Sequence, residues 1–341
     1  MFGAVGPMTP LDLLAAMIAA FAVAGATTWA LMRVRGRLPH AAPNSRSLHG
    51  SPVPRVGGLA IWAGCMPVAL VAPPGLPGNW VIWLICVLGV GIISLQDDRR
   101  GVSPALRLAV HIGLATALVA AILSATLHPA ADFLLPLLCG IAIIVWGANL
   151  YNFMDGSDGL AALMTVVGFT AYAIAAGING TSASTYVAIA AATLALLWVN
   201  WPPAKMFIGD IGAVPLGFLA SGFGLAGVFS GAWPAWFPLI VFWPFVADAT
   251  VTLLRRLLRG ETVWEAHNTH YYQRLHRMGA GHRGTLSVYA AWMIGTAVTA
   301  VVCLAYARGL GWLAFAAWCC AGALLFLAID YHWRHHKTKA Q

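Results

Sequence analysis

Residues 133–160 read FLLPLLCGIAIIVWGANLYNFMDGSDGL. The first part, 133–149, is uncharged and apolar. A helix needs about 20 such residues to cross a hydrocarbon core of roughly 30 Å. The stretch does not alternate in polarity as a barrel strand would, so a helix is the only membrane-spanning solution. The second part changes character. Asn149, Asn152, Asp155 and Asp158 recur at every third residue, a spacing that places neighbours on one side of a helix as it emerges from the apolar layer. Two Asp-Gly pairs then turn the chain, since glycine permits the backbone angles that a turn and a close ligand approach require. An apolar span ending in a polar, carboxylate-bearing rim is the unit from which the rest of the chain is built.

Ten further apolar stretches accompany it, at roughly 10–32, 58–73, 79–95, 105–125, 160–177, 184–199, 211–229, 235–254, 286–307 and 310–329. Of the 341 residues 60% are hydrophobic and only 9% charged, against about 25% charged in a soluble domain. The expectation is an all-α, polytopic membrane helix bundle of about eleven transmembrane helices, a single domain over 1–341 without a soluble appendage. With the N-terminus on the periplasmic side and each span reversing the chain, 18 of the 19 Lys and Arg fall on the cytoplasmic side, Arg308 being the exception. That asymmetry predicts a cytoplasmic C-terminus. It also explains the net charge of +8 through anionic headgroups, with no call for nucleic acid. The first span, basic after and not before, reads as a retained anchor. Six cysteines, all within apolar stretches and without a C-x-x-C, suggest neither a disulfide framework nor a zinc site.

Five of the eleven acidic residues gather at the predicted cytoplasmic ends of three spans: Asp97 and Asp98, Asp155 and Asp158, and Asp210. Ionisable groups at membrane depth are costly and mark functional sites. Asp210 sits between Gly209 and Gly212 at the start of a span, where backbone amides bind phosphate oxygens and where Asp equally serves as a helix cap. Hard carboxylate ligands favour Mg²⁺ or Mn²⁺, which bridge a few carboxylates to substrate phosphates. The last large loop carries His267, His270, Tyr271, Tyr272, Gln273, Arg274, His276, Arg277, His282 and Arg283, donors for phosphate and rings able to stack on a base.

In order, the segments Gly50 to Gly58 (with Ser51 and Arg55), Asp97-Asp98, Asn149 to Leu160, Asn200 with Phe207 to Gly212, and the His270 loop resemble the polyprenyl-phosphate N-acetylhexosamine-1-phosphate transferase family (glycosyltransferase family 4), which includes the MraY and WecA types. The resemblance covers residues 49–275 and implies an α-helical bundle in the bacterial inner membrane with its active site facing the cytoplasm. Asp210 then matches the likeliest Mg²⁺ ligand, with Asp97 and Asp98 in the motif for metal or lipid-phosphate handling and deprotonation. Asn152, Asp155 and Asp158 match the nucleotide-side motif, with Asn149, Asn200 and Gly209 beside them; His270 matches the histidine motif near the diphosphate. The implied substrates are undecaprenyl phosphate and a UDP-N-acetyl sugar, and a homodimer is left open. The chain departs from the family at Tyr272 and Gln273, where further histidines are usual, and at Ala213, where Ser is common. This form looks like the WbpL-like branch that initiates O-antigen chains, with a deoxy N-acetyl sugar as one donor. Two rivals fare less well. A transporter would hold its ionisable groups at the midplane and show repeated halves, and a CDP-alcohol phosphotransferase would carry its aspartates within one helix.

Overall fold

Each of these apolar stretches is helical in the computed structural model, which describes residues 9–38, 40–41, 53–127, 132–262 and 267–340. The helices are α1 (Pro10–Arg33), α2 (Gly57–Val71), α3 (Trp80–Arg100), α4 (Pro104–Thr126), α5 (Leu134–Met154), α6 (Leu160–Ile178), α7 (Ser184–Asn200), α8 (Asp210–Phe229), α9 (Trp236–Val241), α10 (Trp243–Leu258), α11 (Tyr271–Leu275), α12 (Gly281–Tyr306) and α13 (Gly311–Ala340). A π turn over His276–Ala280 joins α11 to α12. One antiparallel pair of two-residue strands, β1 (His40–Ala41) and β2 (Val53–Pro54), completes the described elements. The protein is an all-α polytopic membrane protein.

The expectation of about eleven spans meets, among the described residues, eight segments long and apolar enough to cross a membrane; α2 and α7 are apolar but shorter. At a rise of 1.5 Å per residue, the 15 residues of α2 reach only about 22 Å against a core of about 30 Å. Most of α7 is buried among other helices, so its length need not match the lipid. The ninth stretch divides into α9 and α10 at Phe242, followed by Pro244 in the first turn of α10. Proline has no N–H to bond back to Ile240, so the helix restarts there.

The centre of the bundle is α8, buried along most of its length, while α1 and α13 lie at the periphery. Two features seat it. Gly217 on α8 and Gly147 on α5 face each other so closely that a Cβ on Gly217 would lie 2.3 Å from the Gly147 carbonyl oxygen, the close approach that small residues allow between membrane helices. Pro215 inside α8 cannot donate to the carbonyl of Ile211, and that oxygen accepts instead from Trp62 Nε1 of α2 at 2.8 Å. The start of α8 is thereby fixed against α2, α3 and α5 together, at the end of the bundle where their polar residues emerge.

Candidate active site

The loop before α8 is pinned first through its backbone. Phe207 N–H donates to Pro54 O (2.8 Å), Gly57 N–H to Phe207 O (2.9 Å) and Gly58 N–H to Ile208 O (2.8 Å). Gly209 follows at φ +74°, and a Cβ there would lie 2.4 Å from the Arg55 carbonyl oxygen; no other residue fits without moving the backbone at Arg55. Gly209 is therefore the cap position of α8 and Asp210 its first residue. The capping bond comes from α3, since Ile211 N–H donates to Asp98 Oδ2 at 3.1 Å. Of the two roles open to Asp210 from sequence, the cap is thus filled by other residues.

The Asp210 carboxylate is free to meet cations. Arg55 Nη2 lies 3.0 Å from its Oδ1, Arg107 Nη1 3.6 Å from its Oδ2, and Asn152 Nδ2 donates to Oδ2 at 3.4 Å. Arg55 Nε is also 3.9 Å from Asp98 Oδ1. Arg107 is paired with Asp97, whose other oxygen accepts from Val102 N–H at 2.8 Å. Burial alone would lower the Arg55 guanidinium, but Asp210, Asp98, Asp155 and Asp97 outweigh it and hold it up. Burial pushes Asp155 well above the usual carboxylate range, Arg55 opposing and Asp210 and Asp98 adding to the rise. The structure thus brings Arg55, Asp97, Asp98, Asn152, Asp155 and Asp210 into one charged cluster.

In front of this cluster lies a cavity of about 780 Å³, within the usual range for ligand sites. Arg55, Arg107, Asn149, Asn152, Asp155 and His270 line one end; Leu108, Ile112, Leu138, Ile141 and Trp146 line the other. Leu108, Ile112 and Leu138 are exposed on the outer surface of the bundle, so the apolar end runs out to where lipid lies. Asp97, Asp98 and Asp210 stand behind the two guanidiniums.

Other expected site residues are placed differently. Asp158 and Asn200 are buried and turned to backbone: Ala204 N–H donates to Asp158 Oδ2 at 2.9 Å, Gly159 N–H to Asn200 Oδ1 at 3.1 Å, and Asn200 Nδ2 to Met206 O at 2.9 Å. Together they staple the turn after α5 to the loop before α8. Asn149 bonds Val145 O at 2.7 Å and reaches the cavity wall. Ser51 lies outside the described residues.

From the last loop, His267, His270, Tyr272 and Gln273 reach the cavity. Phe153, His270 and His267 form a ring stack, with centroids 6.0 and 4.7 Å apart. Burial first, then the charges of His270 and Arg256, bring His267 down to about 4, so it is neutral near pH 7. Tyr271 and Arg274 face away: Tyr271 stacks on Phe326, and Arg274 Nη1 pairs with Asp330 at 2.6 Å. Asp248, fully buried in α10, anchors this loop. It accepts from Tyr271 N–H and Tyr272 N–H (3.0 Å each), from Thr252 Oγ1 (3.1 Å) and from Tyr289, and its Oδ1 lies 3.2 Å from His270 Nδ1.

A profile of glycosyl transferase family 4 matches residues 80–228, from the start of α3 almost to the end of α8. Residues 80–228 are a glycosyl transferase family 4 domain. Within it fall Asp97, Asp98, the Asn149–Asp158 row, Asn200 and Asp210, while Arg55 and the His270 loop lie to either side. The chain is similar to a probable undecaprenyl-phosphate N-acetylglucosaminyl 1-phosphate transferase of Bacillus subtilis (strain 168), 27% identical over 269 residues covering 74% of this chain and 73% of the relative. It is likewise similar to the decaprenyl-phosphate N-acetylglucosaminephosphotransferase of Mycobacterium tuberculosis (strain ATCC 25618 / H37Rv), 28% identical over 301 residues, 74% and 72% of the two chains. A phospho-N-acetylmuramoyl-pentapeptide-transferase of Phenylobacterium zucineum (strain HLK1) matches at 30% over 209 residues, 48% of this chain and 56% of the relative.

Two residues of this site were not singled out in the sequence. Arg107 counted only as a charge; its place ten residues after Asp97, one helix turn into α4, was the available signal. Asp248, an ionisable residue inside an apolar stretch, was the other. Among the described residues no three His, Cys, Asp or Glu enclose a metal by themselves. The donor set does fit a cation of the Mg²⁺ kind, which takes one or two carboxylates and completes its shell with waters and phosphate oxygens. Asp98 Oδ1 is buried with no hydrogen-bond partner among the described residues, and it shares Arg55 with Asp210.

Proposed function

We propose that this protein transfers an N-acetylhexosamine-1-phosphate from a UDP-sugar to undecaprenyl phosphate at the cytoplasmic face of the bacterial inner membrane, releasing UMP. The observation that carries the proposal is the single cavity with a guanidinium-and-amide end and an apolar end running out to the lipid. A polyprenyl phosphate is amphipathic in the same sense, and its phosphate would arrive where Arg55 and Arg107 stand.

An oxygen of the lipid phosphate attacks the sugar-linked phosphorus of the donor and forms the new P–O–P bond. The bond to the bridging oxygen of UMP breaks, and that oxygen leaves with the electron pair. The main obstacle is repulsion between two phosphates, which positioned cations offset. Arg55 and Arg107 exchange carboxylate partners for phosphate oxygens, and Asn149 and Asn152 donate from the cavity wall. The lipid phosphate is already ionised near pH 7, so Asp97 and Asp98 need only position it or accept a residual proton. Asp210 with Asp98 would hold Mg²⁺ or Mn²⁺, with Asp97 alongside through Arg107, and the ion would supply charge neutralisation for the reacting phosphates.

Tyr272 and Gln273 line the cavity with His270, the Tyr272 hydroxyl donating to Phe153 O and Gln273 Oε1 accepting from His270 N–H; we assign the sugar to this wall. An aromatic ring suits the apolar face of a pyranose and an amide suits its N-acetyl or hydroxyl groups. With histidines absent there, we assign the protein to the initiation of O-antigen or a related envelope glycan, a deoxy N-acetyl sugar being the favoured donor. The test is UMP release by purified protein with a UDP-N-acetylhexosamine panel, with and without undecaprenyl phosphate. Release is expected only with the lipid. Release without it, or none with any donor, overturns the proposal.

A further inference from the structure

A second cavity, of about 540 Å³, opens on the other side of the 267–277 segment. It is lined by Arg255, Arg259, Arg274, Arg277 and Arg334, with one carboxylate, Asp330, and the ring of Trp333. Asp330 pairs with Arg255 and Arg274 and accepts from the Tyr271 hydroxyl. Among the described residues one carboxylate faces the guanidiniums of Arg255, Arg259, Arg274 and Arg277, which leaves a positive excess in a concave space even with Arg334 left out of the count. Arg259 and Arg277 have no carboxylate within ion-pair distance among the described residues. Of these side chains only Arg274 and Arg277 are among the phosphate donors expected from sequence, and both line this cavity rather than the one in front of Asp210.

We infer that this cavity is a second anion site, taking a phosphate-bearing group. Guanidinium forks match phosphate oxygens in pairs and give up their hydration more readily than ammonium groups. Confinement makes the choice sharper: basic residues spread over a membrane surface need no partner, whereas guanidiniums held around one pocket repel each other until an anion enters. Asp330 fixes two of them, so the pocket is built before the ligand arrives. Trp333 lies in the last turn of the apolar segment Arg308–His336, the depth at which tryptophans mark the headgroup layer. A phospholipid headgroup and a soluble phosphate share the required chemistry. The site is independent of the proposed activity but not isolated from it, because Arg274 of α11 lines this cavity one turn after His270, the cap of that helix, lines the other.

The test uses the full-length protein in a neutral detergent. Melting temperature and the number of lipids retained in native mass spectrometry are recorded with phosphatidylglycerol, with phosphatidylcholine, and with inorganic pyrophosphate. Phosphatidylglycerol is expected to raise the melting temperature of the wild type and of an Arg35→Gln/Arg37→Gln control, two exposed arginines outside the pocket. The Arg259→Gln/Arg277→Gln variant should lose that shift and retain one lipid fewer. The milder Arg259→Lys/Arg277→Lys variant, which keeps charge and loses the fork, should need more lipid for half the shift. A matching response to pyrophosphate assigns the site to the phosphate group alone, and a response to phosphatidylglycerol only assigns it to the lipid; either upholds it. Equal responses in wild type and the Arg259/Arg277 variants, or an equal loss in the Arg35/Arg37 control, would overturn it.

Discussion

Asp98 and Asp210 divide two tasks that sequence alone assigns to a single carboxylate at the start of α8. Asp98 closes the helix end through Ile211 N–H, which leaves the charge of Asp210 for Arg55, Arg107 and the proposed cation. Asp210→Asn keeps the size and loses the charge, so turnover should fall at least about 100-fold, the scale of losing one electrostatic stabiliser, with melting little changed. Near-normal turnover of Asp210→Asn at limiting Mg²⁺ would remove it from the metal site. Asp248 is a structural counterpart: Asp248→Ala strands the Tyr271 and Tyr272 N–H groups and the Tyr289 hydroxyl, each unpaired group costing about 1–3 kcal/mol. That variant should unfold at clearly lower denaturant, and Asp248→Asn should recover part of the loss. His267 adds a pH dependence. Its folded pKa of about 4 lies below the ordinary 6.5, so the unfolded chain takes up the proton first and stability is lost as pH falls from about 6.5 toward 4. Melting curves of His267→Gln should fall less steeply over that window. Most of these residues were legible because carboxylates are rare in so apolar a chain. Asp248 was not, since apart from Thr252 its partners lie 22 to 41 positions further along the chain and no local spacing points to them.

At the scale of elements, α8 depends on a bond that its own sequence removes. Pro215 frees the Ile211 carbonyl, and Trp62 of α2 satisfies it. Trp62→Phe keeps an aromatic side chain but leaves a buried oxygen without a donor, costing about 1–3 kcal/mol. It should also slow turnover, because Asp210 begins the same turn; unchanged stability would mean that water or a shifted helix replaces the indole. The apolar stretches were legible as helices because composition and length leave no other solution in lipid. Their lengths were less so. A buried helix such as α7 answers to its neighbours and not to the bilayer, and a sequence shows hydrophobicity without showing what faces it. The division of the ninth stretch had a visible cause in Pro244, yet a proline in an apolar run signals a kink or a restart equally well.

Across the whole molecule, four separate helices (α3, α4, α5 and α8), the residue after β2 and a distant loop bring their polar side chains to one side of one cavity. The gathering of carboxylates at one end, rather than at mid-depth, was legible from the order of spans and charges. Which polar side chains would face the cavity and which would staple its walls was not. Asp155 and Asp158 share a motif and a spacing, yet Asp155 lines the cavity and Asp158 bonds the backbone of Ala204. The central claim is that the phosphate travels with the sugar. It is tested most directly with a UDP-N-acetyl sugar carrying one label in the sugar and another in the sugar-linked phosphate, given to purified protein with undecaprenyl phosphate and Mg²⁺. Both labels should enter the lipid in equal amounts while UMP is released. Transfer of the sugar label alone, with UDP as the product, would contradict the account.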